Sequence, residues 1–165
     1  MQFISSSVVL TLAVCGSFLA CSSDGMNMPP DTGSDTTGAA LGDSCSKETR
    51  APAFSADLSF SNTAGFTVKL LDAQPAPPKL GDNTWTVELD DASGMPIERA
   101  KIAFSQLMID HGHGGAKTPK LAELGGGRYS LSPVNFNMPG YWENYLKVST
   151  DAIDTKLTIK VCATD

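Results

Sequence analysis

Short runs in which apolar and polar residues alternate, each broken by glycine, proline or aspartate, fill most of this chain and constrain it to strands. From Phe54 onward, residues 65–71 set Phe66, Val68 and Leu70 against Thr67, Lys69 and Leu71, and residues 83–89 set Trp85, Val87 and Leu89 against Thr86 and Glu88. Residues 101–108 place Ile102, Phe104, Gln106 and Met108 in one row, and the glutamine in that row predicts a strand leaving the core. Tyr129 and Leu131 share a face in residues 128–132, as do Trp142, Leu146 and Val148 in residues 141–149, and Leu157, Ile159 and Val161 in residues 156–163. The prolines of residues 75–78 suit a kink over a sheet edge, residues 90–94 a turn, and the three glycines at 125–127 a hairpin connection. No helical apolar period lasts more than about two turns, and no internal repeat is present. The expected fold is all-β: an immunoglobulin-like antiparallel β-sandwich of about seven strands, with a small barrel or jelly roll as alternatives.

The N-terminal end has a different character. Residues 8–20 form an apolar run, close to the core of an export signal and too short to span a bilayer, although no Lys or Arg precedes it. It ends in Phe18, Leu19, Ala20 and Cys21, which resembles the bacterial lipobox, with Cys21 as the lipidated residue and Ser22 implying outer-membrane sorting. The earlier candidate, Cys15, has Val14 beside the cut and sits too close to the start. The expected organisation is a lipoprotein signal peptide over residues 1–20, a lipidated cysteine and Ser/Thr/Gly/Pro-rich tether over 21–50, and a sandwich domain over 51–165. Met26 and Met28, in the tether, read as spacer residues.

Removal of Cys15 and acylation of Cys21 would leave Cys45 and Cys162, which in an exported protein are expected to form a disulfide. Cys162 has the parity opposite to Leu157, Ile159 and Val161, so the bridge should pin the incoming chain to the last strand from outside. The net charge of -6 and the lack of a Lys/Arg cluster argue against a nucleic-acid partner and against adsorption to anionic head groups. Membrane association is expected through the lipid anchor, on the periplasmic or surface face of the cell envelope. A protein partner would be a separate matter, to which Tyr141 and Tyr145, on the outward parity, could contribute.

Both histidines of the chain lie in residues 106–115 (QLMIDHGHGG). In an extended backbone His111 and His113 project to one side, and the surrounding glycines let the loop close around an ion. Two imidazoles suit Cu(II) or Zn(II), a thioether from Met108 or Met138 favours Cu(I), and Asp110 could orient a ring or act as a weak ligand. A structural zinc site would need four protein ligands, which a cysteine pair closed as a disulfide does not leave. The alternative is a solvated loop, with Met138 as core filler and Trp142 as the buried anchor of the sandwich. No nucleophile triad, P-loop or dinucleotide fingerprint appears, so an enzyme is not expected.

Residues 83–97 (NTWTVELDDASGMPI), 100–104 (AKIAF), Met108 with His111 and His113, 127–129 (GRY) and 136–142 (FNMPGYW) together resemble the YtkA-like domain family, over about residues 80–161. The resemblance implies an immunoglobulin-like module of an exported or membrane-anchored protein, with a link to copper handling, and carries Met108, His111, His113, Met138 and Trp142 over as the positions of interest. Pro139 between Met138 and Gly140, and the M-x-x-H-x-H spacing, depart from the family pattern. The expectation is a lipid-anchored, non-enzymatic binding module for copper, Cu(I) or Cu(II), or else a structural or protein-interaction sandwich without a metal.

Overall fold

The computed structural model describes residues 45–165; the expected signal peptide, Cys21 and most of the tether lie outside them. The alternating runs form eight strands: β1 (Leu58–Ser61), β2 (Thr67–Gln74), β3 (Gly81–Asp90), β4 (Lys101–Leu107), β5 (Lys120–Gly125), β6 (Arg128–Phe136), β7 (Gly140–Ser149) and β8 (Asp154–Ala163). They make two sheets, β1-β2-β3-β6-β5 and β4-β7-β8, in which every strand pair is antiparallel. The orders β2-β3-β6-β5 and β4-β7-β8 are those of the ABED and CFG sheets of an immunoglobulin constant-type sandwich, with β1 added outside the first strand. The expected sandwich is therefore present, in place of a barrel.

Between the sheets lie the side chains that alternation assigns to the core: Val68, Leu70, Trp85, Val87, Leu89, Tyr129, Leu131, Trp142, Leu146, Val148, Leu157, Ile159 and Val161 are all buried. Two bulges reset that alternation. Leu70 pairs with Val87 and Asp72 with Thr86, so Leu71 is an extra residue and the inward row of β2 resumes at Ala73. In β6, Leu131 pairs with Trp85 and Val134 with Asn83, leaving Pro133 as the extra residue at a place where its missing N–H costs no ladder bond. The strand thus continues past Ser132 to carry Val134 and Phe136 into the core.

Gln106 does not mark an exit from the core. It is buried, pairs across the sheet with Asn144, and donates from Nε2 to the Asn144 Oδ1 at 2.9 Å, while Asn144 donates onward to the Ile159 carbonyl. The glutamine is admitted because a neighbouring strand supplies a polar partner, and Met108 beyond it is buried too.

Fixed contacts begin before residue 51. Cys45 and Cys162 form a disulfide, Cα atoms 5.6 Å apart, on the outer parity of β8 as expected. On the outer face of β7, the hydroxyls of Tyr141 and Tyr145 donate to the two oxygens of Glu143 at 2.8 and 2.6 Å. Arg50 lies over the Tyr141 ring and Lys156 over that of Tyr145, at 4.3 and 3.8 Å. Tyr141 is consequently only 3% exposed, and Tyr145 is half-buried.

The bridge spans 117 positions, so Cys45→Ser/Cys162→Ser should lower unfolding free energy in urea by about 2–5 kcal/mol; a change under about 1 kcal/mol would mean that the unfolded chain gains little freedom. The Tyr145 hydroxyl first, and Tyr141 second, hold the Glu143 carboxyl below its ordinary value of 4.5. A depressed folded pKa stabilises the sheet above pH 4.5 and loses that contribution as pH falls through the folded value. Carbon NMR of the Glu143 carboxyl should show Tyr145→Phe moving its titration upward toward 4.5.

Candidate functional site

The chain leaves β4 at Leu107 and turns at once. Met108 donates its N–H to the His113 carbonyl at 2.8 Å, and its own carbonyl accepts from the N–H groups of His111 and Gly112 at 3.1 and 2.8 Å. Gly112, with φ of 68°, supplies the left-handed residue that lets so short a loop close. The result is a turn that begins and ends in an antiparallel bridge, Met108 to His113, with both imidazoles on it.

The His111 and His113 ring centroids are 5.9 Å apart, and His113 meets the Trp142 indole edge to face at 5.7 Å. His113 Nδ1 lies 3.1 Å from the Gly114 carbonyl oxygen. A carbonyl can only accept, so this contact puts the proton on Nδ1 and the lone pair on Nε2. Trp142 is fixed in turn by its indole N–H, which donates to the Met138 carbonyl at 3.0 Å. His111 is exposed and His113 half-buried.

The loop is fastened on both sides by charge. Asp110 accepts from both terminal guanidinium nitrogens of Arg50, Nη1 to Oδ1 at 2.6 Å and Nη2 to Oδ2 at 2.7 Å, and Arg50 also binds Glu48. This pairing, above all, keeps the Asp110 carboxyl below the usual carboxylate range. On the other flank Lys117 binds Asp82 at 2.6 Å, and Asn135 donates to the same carboxylate. Underneath, Gly114 and Gly115 cross β4 so closely that a side chain at Gly115 would collide with the Gln106 Oε1 and come within 2.7 Å of the Asn135 carbonyl oxygen.

Of the residues singled out in the sequence, His111, His113 and Trp142 come together. Met108 is 3% exposed, and its terminal methyl packs against Gly140. Met138 is half-buried against the same core, beside Pro139. Among the described residues no three His, Cys, Asp or Glu side chains converge, so an ion held by both imidazoles would need a further donor of another type. Two grooves, of about 620 Å³ beside the β7–β8 turn and about 380 Å³ beside the disulfide, are lined by neither histidine. Arg50, Gln106 and Lys117, which hold the loop, were not singled out as such; only Gln106, a polar residue in an apolar row, carried a local signal.

The model of a family described as YtkA-like matches residues 61–147, from the end of β1 through most of β7 and including the whole histidine loop. No curated protein and no solved structure matches the chain.

The two kinds of glycine in the loop should respond differently. Gly115→Ala places a methyl group against a buried carbonyl and amide, at a cost of about 1–3 kcal/mol in urea unfolding. Gly112→Ala has open space around it and pays for the left-handed backbone alone, about 1 kcal/mol. A larger effect at Gly112 than at Gly115 would contradict the packing described.

Proposed function

The chain belongs to the YtkA-like family, and from that premise we propose that it is an exported, lipid-anchored, non-enzymatic module that takes one copper ion through His111 and His113. The separation of the two rings carries this reading. With metal–nitrogen bonds of about 2.0–2.1 Å, two imidazoles on one ion place their centroids roughly 5 to 6.5 Å apart, depending on the angle at the metal. The observed 5.9 Å falls inside that range. The tautomer favoured at His113 offers Nε2, the outer nitrogen, to the ion.

The remaining donors favour a soft ion. Met138, half-buried beside the tryptophan that His113 touches, is the thioether we assign as third ligand. Met108 has its side chain in the core and its backbone in the turn, and serves to hold the loop. Two imidazoles and a thioether are neutral donors suited to Cu(I). Both described cysteines are in the disulfide, which removes them as thiolate ligands and suits an oxidising compartment. Anchoring rests on the lipobox-like run ending in Cys21 and the short apolar segment before it.

Titration of the full chain with Cu(I) and Cu(II) against a competing chelator tests the reading, beside His111→Ala/His113→Ala and Met138→Leu. One-to-one, sub-micromolar binding should be lost in the double histidine variant, and Met138→Leu should weaken Cu(I) more than Cu(II). Binding that survives loss of both histidines would leave the sandwich as a structural or interaction domain.

A further inference from the structure

The three-stranded sheet ends at β4, which has a strand partner on one side only. The other sheet edges among the described residues are short, broken or covered. β1 has four residues, and β5 follows Pro119 and is bulged between Glu123 and Gly125. β8 accepts from the Asn62 side chain at the Lys156 carbonyl, and just past its end Thr164 is bridged to Lys79. Residues 113–115 close β4 beyond Ser105, where Met108 bonds His113 and Gly114 lies against the Gln106 carbonyl. Residues 101–105 remain as a regular edge in unbroken register, without proline or bulge, the kind of edge that invites pairing.

The two faces of this edge differ. Inward, Ile102 and Phe104 are half-buried against the core. Outward, Lys101 is exposed, and the register beyond it makes a row of Ala103, Lys147 and Lys156 across β4, β7 and β8. Two lysines directly opposite one another repel. The repulsion is only partly answered, by the exposed Asp154 at 3.9 Å from Lys147 and by the Tyr145 ring under Lys156. Ala103 puts no more than a methyl group between Lys147 and the open edge. We propose that this edge takes an extended segment of another protein, alternating acidic and apolar residues, as a fourth strand. The acidic side chains meet Lys101 and, across Ala103, Lys147, while the apolar ones cover Ile102 and Phe104. Backbone bonds to the edge supply affinity and the two rows of side chains supply specificity. Asp91, Glu98 and Asp151 line the groove next to Lys101, which confines an acidic segment to the strand itself. A second copy of this chain fits worse, because antiparallel pairing of two β4 strands would gather Lys101 and Lys147 of both copies on one face. The three lysines come from three strands, so no run of basic residues marks them in the sequence. The surface uses neither histidine and stands apart from the metal reading.

The probe is a short capped peptide of alternating glutamate and valine, added to the nitrogen-15-labelled full chain. The amides of Ile102 and Phe104, which by strand alternation turn the same way as that of Met108, should shift and gain protection from hydrogen exchange. The same peptide with alternate amides N-methylated, and one with lysine in place of glutamate, should not bind. Lys101→Glu/Lys147→Glu, at two exposed positions, should weaken the glutamate peptide by about tenfold or more and admit the lysine one. Equal binding of the two charge types, undiminished binding of the N-methylated peptide, shifts centred away from β4, or no response at millimolar peptide would overturn the proposal. Concentration-dependent shifts of the same amides without peptide would also overturn it, by marking the edge as an interface between two copies.

Discussion

Phe136 lies between two tryptophans, 5.9 Å from Trp85 and 5.4 Å from Trp142, and through them joins the two sheets. Trp85 comes from β3, Phe136 from the far end of β6, and Trp142 from β7, so this contact unites the second strand of one Ig-type sheet with the central strand of the other. All three rings have no exposed surface, and aromatic pairs of this geometry add about 0.5–1.5 kcal/mol each beyond the area they bury. His113 extends the series at 5.7 Å and His111 at 5.9 Å, which carries it from the centre of the core to solvent. The histidine loop is therefore seated on the core itself, and its position is set by the packing that stabilises the fold.

Around that seat, three kinds of attachment divide the task of holding eight loop residues in place without a helix or a strand to do so. Backbone bonds from Met108 close the turn, the buried Gln106–Asn144 pair sets the surface that Gly114 and Gly115 cross, and the pairs Arg50–Asp110 and Lys117–Asp82 fasten the flanks. The charged pairs are exposed and contribute little to global stability. Their effect is on orientation, because each fixes the backbone within a few residues of an imidazole. A loop held in this way has less conformational freedom left to lose than a free one would.

Much of the fold was legible because six strands bury one face and show it as alternation. β1 and β5 were not, since each is an edge strand with a single partner and needs few apolar residues; in β5 only Leu121 is half-buried against the core. Parity failed at the bulges, where one extra residue inverts every later assignment: the run ending at Ser132 stops at the point where Pro133 shifts the inward row to Val134 and Phe136. At the site, the histidine pair announced itself by composition. Arg50 could not, because it stands in a polar stretch and its partner Asp110 is 60 positions away, a contact that only the tertiary fold creates. Gln106 was read as a strand leaving the core because its partner, Asn144, belongs to another strand.

That His111 and His113 act as a pair on one ion is the claim most directly open to measurement. Cu(I) is diamagnetic, so the imidazole resonances of both rings can be followed by nitrogen–proton NMR of the full chain as Cu(I) is added. Both rings should shift together and reach completion at one equivalent, with the Met138 methyl moving in step. A shift of only one imidazole, or completion at a different stoichiometry for each ring, would contradict a shared site.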